Sequence, residues 1–120
     1  MNKAQAIHQF WNSFSIPAYD ESTVSPDIEL PRITYEYAED NLDNVVFLSG
    51  SLWYKGMSWQ AISDKAEEIA AYIDNGLIIS IDNGYIYITR GTPFAQRMSD
   101  ENNQIRRIYI NIQVEFLTQI

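Results

Sequence analysis

Residues able to do chemistry are few in this sequence, and they do not form a catalytic motif. His8 is the single histidine, and there is no cysteine. A hydrolytic nucleophile needs a neighbouring base that is held in place by a third group. A zinc site needs three or four nitrogen or sulfur ligands. One histidine supplies neither arrangement, so we interpret His8 as a surface residue of a helix.

The carboxylates are numerous, but none of them lies inside an apolar run where burial would raise its pKa for acid–base catalysis. Asp82 and Asn83 belong to a turn, and the residues after them lack the spacing of an EF-hand. Each glycine stands alone, so no phosphate-binding loop is present. We therefore expect a protein that is not an enzyme and that uses no cofactor and no metal.

Hydrophobic periodicity predicts an α+β protein with the element order α-β-β-α-β-β-β. Apolar residues at helical spacing predict one helix over 2–14 and a second that starts after Ser58 and stops at Asn75-Gly76. Alternating and β-branched runs predict the strands, over 32–37, 45–54, 77–82, 85–89 and 105–117.

These elements indicate a mostly antiparallel sheet with both helices packed on one face, in a single domain over 1–120. Asn83-Gly84 predicts a tight hairpin turn. Gly50, in the middle of a strand, predicts a bulge or a close approach of another chain segment. The polar segments 15–31 and 91–104 are predicted to be long loops.

Composition limits the setting in which the protein works. The sequence has 120 residues, and 46% of them are hydrophobic, which is too many for a disordered chain. No apolar run approaches the roughly 20 residues that cross a bilayer, and the first residues lack the apolar core of a signal peptide. We therefore expect a soluble protein made and kept in a cytosol-like compartment.

Charge is distributed unevenly along the chain. The net charge is −8, from eight basic and sixteen acidic residues, which disfavours stable binding to nucleic acid. Residues 15–44 hold eight acids and one arginine, whereas residues 90–120 hold four arginines and three acids. The plain interpretation is a solvated acidic face. The alternative is a pair of complementary surfaces on one subunit, with Asp20 and Glu21 on the acidic one and the arginines on the other, Arg90, Arg97, Arg106 and Arg107.

The aromatic residues give further interface candidates. Tyr85 and Tyr87 share one face of the hairpin, and we favour cross-strand pairing over an interface for them and for Trp53. Phe94 lies in the polar segment 91–104, where a phenylalanine either folds back onto the core or enters a partner. It is the best single interface candidate of the sequence.

Several short runs resemble small proteins of siphophages and prophages of Gram-positive bacteria, the minor capsid or tail-terminator proteins. The similarity extends over roughly residues 10–117, and no catalytic signature is part of it. The runs are Ala18–Glu21 (AYDE), Pro31–Tyr35 (PRITY), Ser51–Trp59 (SLWYKGMSW), Lys65–Ile69 (KAEEI), Arg90–Gln96 (RGTPFAQ) and Ile105–Asn111 (IRRIYIN).

This resemblance implies a tail-terminator-like fold and a non-enzymatic structural role at the head–tail junction of a virion, in a protein made in the bacterial cytoplasm. Such proteins form a ring, commonly a hexamer, that caps the tail tube and offers a joining surface to the head connector. The implied partners are other copies of the chain, the tail tube protein and the connector or stopper protein. DNA passes through the ring without specific binding, and no membrane and no cofactor takes part.

Two other readings stay open at this stage. Another neck component, a connector or stopper, is equally small and ring-forming, although stoppers are often richer in β structure. A monomeric prophage-encoded regulator that binds one host protein would need a single interface, whereas a ring needs two different surfaces on each subunit.

Overall fold

The structure, a computed structural model, describes residues 1–24, 29–39 and 45–118. It confirms the α+β class, with two helices and six strands in one mixed sheet. The elements are α1 (Lys3–Trp11), β1 (Ala18–Asp20), β2 (Arg32–Tyr35), β3 (Val45–Lys55), α2 (Gln60–Ile73), β4 (Leu77–Ile81), β5 (Gly84–Met98) and β6 (Ile105–Thr118).

The strands lie in the order β1-β2-β3-β6-β5-β4. Four of the five strand pairs are antiparallel, and β1 pairs with β2 in parallel. The strand β1 was not predicted, because it lies inside the segment 15–31 that we expected to be a loop. Three residues are too few to show an alternation of apolar and polar side chains, so this strand forms through its pairing with β2.

Both helices have the apolar stripes that were predicted for them. A capping box begins α1. The backbone N–H of Gln5 donates to the side-chain oxygen of Asn2 at 2.8 Å, and the backbone N–H of Asn2 donates to the side-chain oxygen of Gln5 at 2.9 Å. The helix α2 begins at Gln60, and the N–H of Gln60 donates to Ser58 Oγ at 3.1 Å. The helix ends at Ile73, slightly before the predicted stop at Asn75-Gly76, and its capping residue Asp74 has a φ of 52° while Gly76 has a φ of +147°.

The two helices cover the same face of the sheet. Their buried residues belong to one hydrophobic cluster together with alternate residues of the strands. The helix α1 packs closely on the sheet at Gly50, because a Cβ there would lie 2.9 Å from Cη2 of Trp11. The pairing of β3 runs through Gly50 without a shift, so the close approach was predicted correctly and there is no bulge at this residue.

The segment 91–104 is only partly a loop, which corrects the prediction. Strand β5 continues to Met98, and its residues 95–98 pair with residues 107–110 of β6. The register shifts between Arg90 and Ala95, where Pro93 has no backbone N–H to donate. Gly91 and Pro93 predict a loop by composition, so the sequence pattern does not indicate a strand here. The strand forms because the regular strand β6 lies beside it and pairs with it.

Candidate interaction surface

The second face of the sheet has no helix over it in the described part of the chain. Side chains alternate between the two faces along each strand, so the neighbours of the buried residues point away from the helices. Four large apolar side chains lie exposed at one end of this face. We call them the apolar patch: Phe47 (76% exposed), Ile78 (64%), Tyr85 (52%) and Leu117 (47%).

At the other end of this face, Trp53 lies between two arginines. The register places Arg32 of β2 and Arg107 of β6 on either side of Trp53 of β3. Their guanidinium carbons lie 5.7 and 4.6 Å from the indole centroid, within the range of cation–π attraction. We call this row the Trp53 ladder. It is held to the sheet by two further bonds, from Trp53 Nε1 to Thr34 Oγ1 at 2.8 Å and from Arg107 Nε to Ser51 Oγ at 3.0 Å.

Short hydroxyl side chains form the floor of this surface. Thr34, Ser49 and Ser51 are buried on this face, and each is hydrogen-bonded to a longer side chain beside it, Trp53, Tyr109 and Arg107 respectively. Ser49 Oγ donates to a carboxylate oxygen of Glu36 and shares a hydrogen bond of 2.6 Å with the hydroxyl of Tyr109. A floor whose hydroxyls are all bonded fixes the side chains above it, which lowers the entropic cost of binding a partner.

A second tryptophan–arginine cluster lies where three elements meet. Trp59 directly precedes α2, Arg97 is near the end of β5, and Arg106 is near the start of β6. The two guanidinium carbons lie 4.7 and 5.3 Å from the indole centroid of Trp59. Arg106 is also fixed by the backbone, since its Nε donates to the carbonyl of Met57 at 2.9 Å. We call this group the Trp59 clamp.

The two clusters belong to a basic end of the sheet. Five of the eight basic residues of the sequence lie there, with Asp100 and Glu101 as the nearby acids in the chain, a net charge of +3. The remaining three basic and fourteen acidic residues of the sequence have a net charge of −11. The basic residues of this end are Arg32, Lys55, Arg97, Arg106 and Arg107.

The acidic candidates Asp20 and Glu21 lie at the end of the edge strand β1, away from the basic end. Asp20 accepts the hydroxyl of Ser22 at 2.7 Å and its N–H at 2.9 Å, and these bonds lower the pKa of the Asp20 carboxyl. Glu21 is exposed. Strands β2 and β3 lie between β1 and β6, so neither acid contacts Arg106 or Arg107. Three other acids of the acidic segment 15–44 lie outside the described residues, namely Asp27, Asp40 and Asp43.

The structure therefore separates some candidates and joins others. Arg97 and Arg106 meet on Trp59, whereas Arg107 belongs to the Trp53 ladder. Arg90 is exposed at the irregularity of β5 and does not join the basic end. Phe94 is half-buried and packs against the core, which is the first of the two alternatives that the sequence left open, folding back onto the core or entering a partner.

Sequence reasoning missed two basic residues and the role of one tryptophan. Arg32 was counted with the acidic block, and Lys55 was not considered for a surface. Trp59 was not considered for a surface. The signal that could have placed Arg32 was the strand register, since an antiparallel pairing of 32–35 with 50–53 puts Arg32 opposite Trp53.

Little in the described residues points to acid–base or metal chemistry. His8 is exposed, and its Nδ1 lies 2.8 Å from the hydroxyl of Tyr35, whose pKa is raised by burial and by the charge of Asp20. Among the residues that the structure describes, no group of three or more histidines and carboxylates could hold a metal ion. Within the same part of the chain, neither helix has the length and apolar character to cross a membrane.

The fold and the surface thus describe an α+β protein with one helix-covered sheet face, one open face and a strongly basic end. Comparison with known proteins adds no family to this description. No family model matches the chain, and no curated protein matches it significantly.

Proposed function

We propose that this chain is a non-enzymatic structural protein of a bacteriophage, a tail terminator with the tail-terminator fold. In this proposal it caps the tail tube as a ring, commonly a hexamer, and provides the surface to which the head is joined. Its partners are other copies of the chain, the tail tube protein and the head connector or stopper. The DNA passes through the ring without being bound specifically.

The separation of charge on one subunit is the observation that supports this proposal most. A ring is built from heterologous contacts, in which one surface of each subunit meets a different surface of the next. The basic end has a net charge of +3, and the other described residues, with three basic and eleven acidic groups, have a net charge of −8, which supports two unlike surfaces of this kind. Two surfaces with the same charge would repel each other. The basic surface of one subunit is therefore expected to meet an acidic surface of the next, which is a head-to-tail contact.

The open face supports a role in assembly by a separate argument. Tryptophan, tyrosine and arginine are the residues that dominate binding energy at protein interfaces. The Trp53 ladder presents one tryptophan and two arginines on a floor of bonded hydroxyls, and the apolar patch lies on the same face. In a tail terminator this face would be available to the tube or to the connector, in addition to the contacts between subunits.

Disruption of the gene in the phage or prophage of origin tests the proposal, with negative-stain electron microscopy of the induced lysate as the readout. We expect overlong tail tubes together with DNA-filled heads that lack tails. Heads without DNA next to tails of normal length would instead assign the chain to the connectors or stoppers. Intact virions would refute a role in the virion and favour a regulator that binds a host protein.

A further inference from the structure

The Trp59 clamp holds two guanidinium groups whose charge is not neutralised within the described part of the chain. Neither Arg97 nor Arg106 forms an ion pair with a described carboxylate. Asp100 lies beside them, and its carboxylate accepts the backbone N–H of Asn102 at 2.8 Å without forming an ion pair with either arginine. The clamp borders a surface hollow, which is also lined by Ser99, Asp100 and Asn103.

The positions of both guanidinium groups suit one kind of ligand. Each guanidinium carbon lies over the Trp59 indole within cation–π range, and the N–H groups that are not bonded to the protein remain for an acceptor such as a carboxylate. Arg106 is held further by its bonds to the carbonyls of Met57 and Asn103, at 2.9 and 3.2 Å. Because the Arg106 guanidinium is already ordered by these bonds, its side chain loses little extra entropy when a ligand binds.

From this geometry we infer that the Trp59 clamp is a carboxylate-binding site that receives an acidic side chain of a second copy of this chain. The inference deepens the proposed ring and rests on it, because it names the group that holds adjacent subunits together. Charge complementarity selects this occupant. Outside the basic end, the described residues include eleven acids and three cations, so a second copy supplies the ligand in excess.

The test compares single substitutions in the full-length chain by analytical ultracentrifugation over a range of concentrations. Arg97→Glu is the main variant, because Arg97 makes no hydrogen bond to a described residue and its replacement leaves the backbone contacts of Arg106 in place. Arg90→Glu is the matched control, with the same charge change on the same strand but outside the basic end. Circular dichroism and thermal unfolding confirm that each variant is folded.

We expect Arg97→Glu to weaken self-association at least about tenfold, as the loss of a close charge pair does at other interfaces. Arg97→Lys, which keeps the charge but loses the planar fork, should fall between Arg97→Glu and the unchanged protein. Arg90→Glu should associate like the unchanged protein. An unchanged protein that stays monomeric at the highest attainable concentration overturns the inference, and so does an equal loss in both glutamate variants.

Phosphate is the rival ligand of a paired guanidinium site, and a short DNA duplex is the probe for it. If Arg97→Glu abolishes retardation of the duplex in a gel and leaves self-association intact, the clamp binds phosphate and the inference is wrong. The proposed function fails separately, through normal virions after gene disruption. If disruption gives overlong tails and Arg97→Glu restores normal ones when supplied in trans, the function stands and the clamp has no role in the ring.

Discussion

Replacing Gly50 with alanine tests how closely α1 packs against the sheet. The added Cβ would lie 2.9, 3.0 and 3.1 Å from three ring carbons of Trp11, all closer than ordinary van der Waals contact. Neither side can move easily, because Trp11 is fully buried and Gly50 is paired with both Tyr35 and Ile110. The φ of Gly50 lies outside the left-handed region, so alanine adds steric strain without backbone strain.

The expected cost follows from two opposing effects. Overpacking a well-filled core costs about 1–3 kcal/mol, and an alanine in place of a strand glycine returns about 0.5–1 kcal/mol through the lower entropy of the unfolded chain. We therefore expect Gly50→Ala to lower the free energy of unfolding by about 1–2 kcal/mol. For a chain of this size, that corresponds to a Tm lowered by about 4–10 °C.

Urea denaturation followed by far-UV circular dichroism measures this change, and a double-mutant cycle with Trp11→Phe isolates its cause. The smaller ring leaves space for the alanine methyl, so the double variant should be more stable than the sum of the two single effects predicts, by about 0.5–2 kcal/mol. A Gly50→Ala protein as stable as the unchanged one, or strictly additive effects, would refute the close packing of Trp11 on β3.

Three further predictions concern the open face and the β1 turn. Trp53→Leu removes the ring that lies between two guanidinium groups and should lower the free energy of unfolding, measured in urea, by about 1–2 kcal/mol. Trp53→Phe keeps an aromatic ring at this position and should retain most of that stability. Phe47→Ser should change the free energy of unfolding by no more than about 0.5 kcal/mol, because Phe47 is 76% exposed. A larger loss of stability in a thermal scan would mean that Phe47 is covered. Asp20→Asn should destabilise the protein slightly at neutral pH but not in acid. The folded-state pKa of Asp20 is lowered by its bonds to Ser22, so its contribution is present above the unfolded pKa of about 3.9 and is lost as the pH falls through the folded value. A destabilisation that is equal at both pH values in urea titrations would exclude this origin.

The parts of the fold that the sequence predicted are those where a local pattern and the tertiary packing agree. In β6 the apolar residues alternate from Ile108 to Phe116, and all five of them are buried against the helices. In α2 the stripe from Ile62 to Ile73 is buried in the same core. In each case one side of the element is covered and the other is solvated, and that condition alone produces a clear period.

The elements that the sequence did not predict are defined by their neighbours. Strand β1 has three residues and depends on its pairing with β2. The second half of β5 includes Gly91 and Pro93, which indicate a loop by composition, yet its last residues pair with β6 in a regular register. Such segments have little strand propensity of their own, and the hydrogen bonds offered by the adjacent strand determine their conformation.

The sequence named only some residues of the candidate surface, and it did not give their grouping. Charge counting found the arginines near the C-terminal end of the chain, but it placed Arg32 with the acids and Arg90 with the bases. The antiparallel register reverses both assignments, because it brings Arg32 next to Trp53 and leaves Arg90 at the irregularity of β5. A count along the chain therefore underestimates the charge separation, which develops only when residues far apart in sequence meet at the same end of the sheet.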